Sequence, residues 1–273
     1  MQKERIMFCP LSSGSSGNSA VCGFGPGFDN ALIDIGLSCA RIVEKLKVLN
    51  MRAADIKAVF ISHEHTDHCA GAALFSKRFN VPVYASRGAW DALDANEQTE
   101  ALPARNRKTF AYDEKIVLND AFGVLPFKIP HDAAEPCGFN IFLNDKKISV
   151  VTDFGVQTDT ILEHIANSDC LLIESNHDLN LLKNGKYPYI LKKRILGDYG
   201  HLSNVACAET LAKVYSKRLK HVFLGHLSAQ NNTPSLAYET VADFLYEKHI
   251  RAQKDFAFSV ADRLSVSRAA YIL

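Results

Sequence analysis

The sequence predicts a layered α/β fold in which short buried strands alternate with helices. Its 273 residues and 47% hydrophobic content are enough to bury a substantial core. Short apolar runs rich in β-branched and aromatic residues recur along the chain, and segments with helical spacing lie between them. Polar side chains directly follow several of these runs. Strands interleaved with helices in this way favour one layered domain, although the length alone also fits two small ones.

The predicted elements follow one another in a regular order. The predicted strands span residues 7–11, 20–24, 31–35, 58–61, 83–85, 115–118, 124–129, 139–143, 147–151, 170–173, 221–224 and 256–260. The predicted helices span 38–49, 70–79, 86–94, 203–219 and 235–248. Ser38 and Ser203 stand at helix N-cap positions, and Pro234 precedes the last helix. The polar connection between 94 and 115 is predicted to be the least structured part of the first half.

Composition excludes several classes of protein. With 31 Lys and Arg against 30 Asp and Glu, the net charge of +1 provides no overall field for nucleic acid or anionic membranes, so a polyanion would be bound locally. The seven cysteines contain no Cys-x-x-Cys pair, which favours free thiols in a reducing compartment. The first apolar run is broken at Pro10 and is too short for a signal peptide. No stretch approaches the roughly 18–20 apolar residues of a membrane span, so we expect a cytoplasmic protein.

A Ser-Gly loop, SSGSSGNS at residues 12–19, joins the first two strands. Such a composition is typical of linkers, but strand signals flank this segment on both sides. Its N–H groups and hydroxyls are suited to a phosphate site, and a plain turn fits the sequence equally well. On the first interpretation, Ser15, Ser16 and Asn18 contact the substrate.

The densest chemical signal follows the strand at 58–61. Six residues contain the pattern His-x-His-x-Asp-His, formed by His63, His65, Asp67 and His68, in a chain with ten histidines. Imidazole and carboxylate groups are typical metal ligands, and one ion does not easily use all four. We expect Asp67 and His68 to point away from the first two histidines, which divides the pairs between two ions. A polar loop with chance histidines is the alternative.

Further candidate ligands stand in corresponding places. His131 follows the strand at 124–129, Asp153 follows 147–151, and His226 follows 221–224. A lone histidine in such a place is usually an ordinary loop residue. The strand-end position that these residues share with the first cluster favours metal binding instead.

With these seven residues the chain resembles the metallo-β-lactamase-fold hydrolases, whose fold is an αββα four-layer sandwich. Five further blocks are similar to the YycJ/WalJ branch of that superfamily and are more specific than the histidine cluster: SGSSGNS at 13–19, HDAAEP at 131–136, ESNHD at 174–178, GHLSN at 200–204 and GHLS at 225–228. The resemblance covers essentially the whole chain and implies a single domain over residues 1–273.

The resemblance also implies how the ligands are shared. One ion would be held by three histidines, His63, His65 and His131, and the other by Asp67, His68 and His226. Asp153 would bridge the two ions. A bridging Asp is unlike the β-lactamases proper, where a Cys commonly takes that place, so antibiotic hydrolysis is not expected.

A two-ion centre favours hydrolysis of an anionic ester. Two ions lower the pKa of a shared water, so a metal-bridging hydroxide, oriented by Asp67, is the expected nucleophile. Two divalent cations offset by two carboxylates and a hydroxide leave about one unit of positive charge, which suits a phosphodiester better than a neutral amide. Zinc or manganese is the expected metal, with iron as an alternative.

Two later histidines are candidate catalytic residues. The resemblance implies that His177 and His201 line the cleft, and that His201 contacts the scissile phosphate or acts as general acid. The alternatives are that His201 serves the start of the following helix and that His177 supports the site indirectly. Ser203 and Asn204 would then lie at a helix N-terminus, where backbone N–H groups bind phosphate.

The segment at 183–194, KNGKYPYILKKR, is basic with interleaved tyrosines. Such a run is usually a solvated face. Between two candidate active-site blocks it is also a candidate track for a nucleic-acid backbone, with Lys192 and Arg194 as phosphate contacts and Tyr187 or Tyr189 stacking on a base.

The predicted function is a dinuclear-metal phosphodiesterase that acts on nucleic acid, and the preference for DNA over RNA comes from the resemblance. The YycJ/WalJ resemblance further implies a 5′-to-3′ DNA exonuclease. One alternative is a hydrolase of small cyclic phosphodiesters or thioesters with the same metal centre, and another is a non-catalytic nucleic-acid-binding protein. No membrane partner is expected. The sequence leaves open the metal, DNA against RNA, exonuclease against endonuclease action, the polarity and the oligomeric state.

Overall fold

Two seven-stranded sheets organise the computed structural model, which describes residues 5–272. Residues 1–4 and 273 of the predicted domain lie outside the described residues. The strands are β1 (Ile6–Ser12), β2 (Ser19–Gly23), β3 (Asn30–Ile33), β4 (Ile56–Phe60), β5 (Val83–Ser86), β6 (Arg107–Phe110), β7 (Ile116–Asn119), β8 (Phe122–Lys128), β9 (Cys137–Leu143), β10 (Lys146–Val151), β11 (Cys170–Glu174), β12 (His221–Gly225), β13 (Ala257–Val260) and β14 (Ala270–Ile272). The helices are α1 (Cys39–Val48), α2 (Thr66–Cys69), α3 (Ala72–Phe79), α4 (Arg87–Ala95), α5 (Asp159–Ile165), α6 (Leu179–Asn184), α7 (Tyr189–Ile195), α8 (Asn204–Val214) and α9 (Pro234–Glu247).

The two sheets have matching layouts. The first has the strand order β14-β1-β2-β3-β4-β5-β6, and the second has the order β13-β12-β11-β10-β9-β8-β7. Strands β3 to β6 are mutually parallel, as are β10 to β13, and the remaining pairs are antiparallel. Because the carboxyl ends of parallel strands meet at one edge, the residues that follow β3 and β4 gather together, as do those that follow β10, β11 and β12.

Alternate residues of the central strands face different layers of the molecule. In β1, Phe8 packs between the two sheets, whereas Met7 packs against α1, α3 and α4 on the outer face of the first sheet. In β11, Leu172 faces the layer between the sheets, and Leu171 packs against α5, α8 and α9. Burial on both faces explains the continuous apolar runs in the sequence. The resulting order of helices, sheet, sheet and helices confirms the predicted αββα sandwich.

Most predicted elements are present, and the differences have local causes. The helix predicted over 70–79 is α3, which begins at Ala72, and α2 precedes the predicted range. Gly71 lies between the two helices, and a Cβ atom there would be 2.2 Å from the carbonyl oxygen of Leu37. The helix predicted over 203–219 ends at Val214 because Tyr215 has an extended ψ of 130°. Strand β6 lies in the connection that we predicted to be least structured. It is an edge strand with largely exposed polar residues, so it has no apolar signature.

Within residues 5–272, no helix has the length and apolar character needed to cross a membrane.

Candidate metal centre

The turn at residues 63–68, which follows β4 and carries His63, His65, Asp67 and His68, is held by close backbone packing and is called the ligand turn below. Gly36 lies against this turn so closely that a Cβ atom there would be 1.6 Å from the carbonyl oxygen of Asp67. That carbonyl accepts a hydrogen bond from the backbone N–H of Asn18 at 2.7 Å, and the N–H of Ile35 donates to the carbonyl of His68 at 2.8 Å. The end of β3 and the Ser-Gly loop therefore hold the turn in place, which fixes where its side chains point.

The first group of converging side chains consists of His63, His65 and His131. Each offers a ring nitrogen, and these three atoms lie within 4.8 Å of one another. His63 Nε2 is 3.1 Å from His65 Nδ1, and the ring centroid of His131 lies 5.0 Å from that of His63. His63 is fully buried, while His65 is partly exposed. The structure thus gathers one of the two predicted ligand groups.

The second group consists of Asp67, His68 and His226. Asp67 Oδ2 lies 3.6 Å from His68 Nε2 and 3.7 Å from His226 Nε2. These separations are too long for hydrogen bonds and suit atoms that converge on a shared ion. The ring of His68 lies 4.1 Å from that of His63, so the two pairs of the first cluster diverge less than we expected.

Asp153 lies between the two groups. Its Oδ2 is 3.3 Å from His68 Nε2, and its Oδ1 is 4.0 Å from His131 Nε2 and 3.3 Å from His226 Nδ1. Asp153 and His226 both have left-handed backbones, with φ of 62° and 55°. Residues other than glycine rarely adopt this conformation, and such strain concentrates at functional sites.

Buried atoms of these residues lack hydrogen-bond partners among the described residues. They are both ring nitrogens of His131, Oδ2 of Asp153 and Nε2 of His226. Leaving a buried polar atom without a partner costs free energy, and a bound cation would supply the missing interaction. Imidazole nitrogens and carboxylate oxygens are ligands that divalent transition metals accept. The two neighbouring groups therefore suit a dinuclear metal site.

Two buried carboxylates orient the histidines of the second group. Asp34 Oδ2 lies 2.7 Å from His68 Nδ1, and Glu174 Oε1 lies 2.8 Å from His226 Nδ1. Accepting a hydrogen bond from Nδ1–H leaves Nε2 free to bind a metal ion. The sequence alone indicated no role for either carboxylate. Both follow or end a strand, β3 and β11, which is the same signal that identified Asp153.

Glu174 also holds His201. The Nδ1 atom of His201 lies 2.9 Å from Glu174 Oε1, and Oε2 accepts hydrogen bonds from the backbone N–H groups of Phe154 and Leu202. Because four groups already surround its oxygens, we assign Glu174 to positioning rather than to metal binding. Burial favours the neutral carboxyl, but the imidazoles of His201 and His226 outweigh it and hold the pKa of Glu174 well below its usual value.

A cavity of about 150 Å³ opens beside the second group and includes His201 and His226 in its wall. Ser15 and Arg194, two predicted substrate contacts, also line it. Burial disfavours the charged form of His201, but Glu174 and Asp153 outweigh that effect and raise its pKa. A protonatable imidazole therefore faces the space next to the candidate metal ligands.

His177 occupies a different environment from His201. It is 1% exposed, it does not line this cavity, and neither ring nitrogen has a hydrogen-bond partner among the described residues. Burial lowers the pKa of His177 to about 4, so its ring is neutral at neutral pH. The resemblance placed His177 in the cleft lining. Its side chain is enclosed by the protein, so a supporting role is one interpretation, and its role in catalysis stays a prediction.

Five of the seven predicted substrate contacts have partners within the protein, and three of these five are also buried. The Asn204 side chain is 1% exposed and bonds to Ser175 and Asn232, and its backbone N–H donates to the carbonyl of His177. Ser203 caps α8 by accepting from the N–H of Ala206. The side chain and backbone N–H of Asn204 are therefore engaged within the protein, and phosphate binding by these two residues stays a prediction.

Asn18 is the third such residue. Its Nδ2 atom lies 3.3 Å from Asp67 Oδ2 and 3.0 Å from His68 Nε2, and its side chain is buried. Asn18 thus contacts two candidate metal ligands instead of facing solvent. Ser16, by contrast, is exposed on the same loop. The loop consequently both supports the ligand turn and presents hydroxyls beside the cavity.

The basic segment forms two short helices, α6 and α7, next to the cavity. Lys192 Nζ donates to the carbonyl of Lys183 at 2.7 Å, which joins α7 to α6. Arg194 pairs with Asp132, the neighbour of His131, so α7 is also joined to the loop of the first metal group. The segment is therefore part of the site's wall.

All seven cysteines are free and buried, and no two of them pair. This confirms the prediction of free thiols. None belongs to the groups of candidate metal ligands found among residues 5–272.

Known proteins resemble this chain over nearly its whole length. Residues 29–223 match the family model of the beta-lactamase superfamily domain. The exodeoxyribonuclease WalJ of Streptococcus pneumoniae serotype 2 (strain D39) is 33% identical over 256 residues, 94% of each chain. The exodeoxyribonuclease YycJ of Bacillus anthracis is 31% identical over 267 residues, 98% of this chain and 99% of the relative. The metallo-beta-lactamase fold protein YhfI of Bacillus subtilis has the same fold, with a TM-score of 0.71 and 15% identity over 98% of this chain and 100% of that chain.

Proposed function

Because the chain belongs to the beta-lactamase superfamily, in the branch of WalJ and YycJ, and is a metal-dependent hydrolase, we propose that it is a DNA exonuclease that degrades from the 5′ end. The resemblance to this branch inferred from the sequence is confirmed by these matches. The names of the two relatives support DNA as the substrate. The 5′ polarity and the roles of individual residues are part of the proposal.

The observation that carries the proposal is the pairing of two ligand groups across Asp153. His63, His65 and His131 would hold one ion, and Asp67, His68 and His226 the other. Asp153 approaches members of both groups and has an oxygen without a hydrogen-bond partner. When bound, two such ions supply a hydroxide nucleophile at neutral pH and stabilise charge on the attacking and leaving oxygens.

Residues around the ions would orient the reacting groups. Asp67 is the least buried carboxylate of the centre, with a side chain 27% exposed, so it is placed to align the nucleophile. Asn18 holds Asp67 through its side-chain amide. The chain therefore fixes the direction of attack with residues from both the Ser-Gly loop and the ligand turn.

His201 is our candidate for the proton donor to the leaving oxygen. It lines the cavity next to His226, and Glu174 fixes its ring through Nδ1. A proton on Nε2 would then be available to a substrate in the cavity, which is the geometry that general acid catalysis requires. Glu174 acts through His201 and His226, so it is a positioning residue.

Phosphate contacts would come from the wall of the cavity. Arg194 lines the cavity directly, and Lys192 lies on the same short helix. Ser15 and Ser16 provide hydroxyl groups from the Ser-Gly loop. These groups bind the sugar-phosphate backbone without reading base sequence, as an exonuclease requires.

The seven free cysteines support a reducing location, and we propose the cytoplasm.

The proposal is tested with linear duplex DNA labelled at either end of one strand. Protein reconstituted with zinc, manganese or iron should release a 5′ label at once as a mononucleotide, whereas a 3′-labelled strand should shorten progressively. Circular duplex DNA and RNA of the same sequence should stay intact, and His65→Ala should be inactive. Failure to cut DNA with any of these metals would exclude the nuclease, and early release of the 3′ label would reverse the polarity.

Salt dependence separates DNA from a small ester as the substrate. Replacing Lys192, Lys193 and Arg194 by glutamine should weaken DNA turnover. It should also reduce the slope of log turnover against log salt concentration by about one for each lost phosphate contact. Hydrolysis of a small phosphodiester such as bis(p-nitrophenyl) phosphate should barely change. Equal effects on both substrates would contradict a backbone track on α7.

A further inference from the structure

Helix α7 has two faces with different surroundings. Leu191, Arg194 and Ile195 lie at helical spacing on the face that lines the cavity. Tyr189 and Ile190 instead are 79% and 82% exposed, the highest values among the large hydrophobic side chains that the structure describes. Since seven helical residues span only about 10 Å, both side chains lie close to the cavity wall.

The segment that carries this exposed pair is basic, and one of its cations, Arg194, is paired with Asp132. Residues 179–197 contain five Lys or Arg, at 183, 186, 192, 193 and 194, and no Asp or Glu, in a chain whose net charge is +1. Such a surface repels a second copy of itself and attracts a polyanion. A partner that combines phosphates with flat apolar faces matches both the charge and the exposed aromatic ring.

The segment that carries the pair is anchored at both ends. Leu182 of α6 is fully buried, and Ile195 at the end of α7 is 8% exposed. The bond from Lys192 to Lys183 and the ion pair of Arg194 with Asp132 add two further ties. Tyr189 and Ile190 therefore project from a helix that is anchored to the rest of the protein.

We propose that Tyr189 and Ile190 form a wedge that opens the end of duplex DNA, so that one strand enters the cavity and the other is directed away. This inference rests on the proposed nuclease function. The cavity of about 150 Å³ lies beside the candidate metal ligands, and α7 forms part of its wall. Apolar side chains inserted at a base step unstack it, and an aromatic ring replaces the lost stacking.

The test compares blunt duplex DNA, duplex DNA with a frayed 5′ end, and single-stranded DNA. The double variant Tyr189→Ala, Ile190→Ala should cut blunt duplex DNA at least tenfold more slowly than the wild type. It should cut single-stranded and frayed DNA within twofold of the wild-type rate. Tyr246→Ala, which removes a ring 69% exposed on α9, is the matched control and should behave as the wild type on all three.

A second readout separates the wedge from the nuclease activity. A duplex with 2-aminopurine in its terminal pair and phosphorothioate linkages at that end should brighten when the metal-reconstituted wild type binds, and the double variant should lose that signal. Loss of the signal with no cleavage by the wild type would uphold the wedge and overturn the nuclease proposal. Equal loss of cleavage on all three DNAs, or an unchanged fluorescence signal in the double variant, would overturn the wedge.

Discussion

The Nδ1 atom of His201 lies 2.9 Å from Glu174 Oε1, the same oxygen that His226 Nδ1 approaches to 2.8 Å. One buried carboxylate oxygen thus fixes both a candidate metal ligand and the candidate proton donor. The other oxygen is held by two backbone N–H groups, of Phe154 and Leu202. The position of His201, the candidate proton donor, relative to the candidate metal ligands is therefore set by a single side chain at the end of β11.

Glu174→Gln should impair metal binding and turnover together. A glutamine offers one acceptor oxygen, so its NH₂ group must face either the two imidazoles or the two backbone donors. Loss of such a supporting hydrogen bond typically costs about 10–100-fold in metal affinity or activity. Metal titration and DNA turnover measure this loss. The exposed Glu163→Gln serves as control, and wild-type values for both quantities in Glu174→Gln would contradict the role of Glu174.

His201→Ala and His177→Ala should have different consequences. Removing a general acid costs about 100-fold or more in turnover, so His201→Ala should lower kcat while the protein stays folded. Burial lowers the pKa of His177 to about 4, so its enclosed ring is neutral at neutral pH, and His177→Ala should lower the melting temperature more than it lowers kcat. Measuring kcat and Tm for both variants decides the assignment. A larger loss of kcat in His177→Ala than in His201→Ala would reverse it.

Phe139→Ala should strongly destabilise the sandwich. Phe139 is fully buried between the sheets and meets Phe60 and Phe110 edge to face, with centroids 5.8 and 5.9 Å apart. Truncating such a residue costs about 3–5 kcal/mol of unfolding free energy. Phe142 lies on the same strand, is only partly buried, and contacts Lys115, so Phe142→Ala should cost clearly less. Urea denaturation of both variants measures the difference, and equal losses would contradict the two-sheet core.

The native thiols should be unreactive. Burial raises the pKa of Cys9, Cys22 and Cys69 to about 12, and it raises that of the other four as well. Because a raised pKa reduces the thiolate fraction at any pH below it, Ellman's reagent at pH 8 should find no reactive thiol in the native protein and seven after unfolding. A thiol that reacts rapidly in the native state would contradict this arrangement.

The candidate metal ligands could be predicted from the sequence because four of them lie within one turn and the others follow apolar strands. The carboxylates that support these ligands are not clustered in the sequence. Asp34 and Glu174 are single carboxylates, and their roles depend on histidines 34 and 52 positions away, which the fold alone brings near.

For Asn204 the sequence predicted a substrate contact, whereas the structure places its side chain in a buried hydrogen-bond network. It follows a helix-capping serine in a block that resembles the family, yet its partner Asn232 lies 28 positions further along, so the buried network could not be foreseen. The edge strand β6 was missed for a similar reason, since its exposed residues lack the apolar pattern that marks central strands.

Counting bound metal ions tests the central claim most directly. Protein reconstituted with zinc or manganese, freed of excess metal and measured by inductively coupled plasma mass spectrometry, should contain about two ions per chain. His65→Ala and His226→Ala should each retain about one, because each removes a ligand of a different ion, and the surface variant His249→Ala should retain two. One ion or none in the wild type, or two in His65→Ala, would contradict a centre built from two ligand groups.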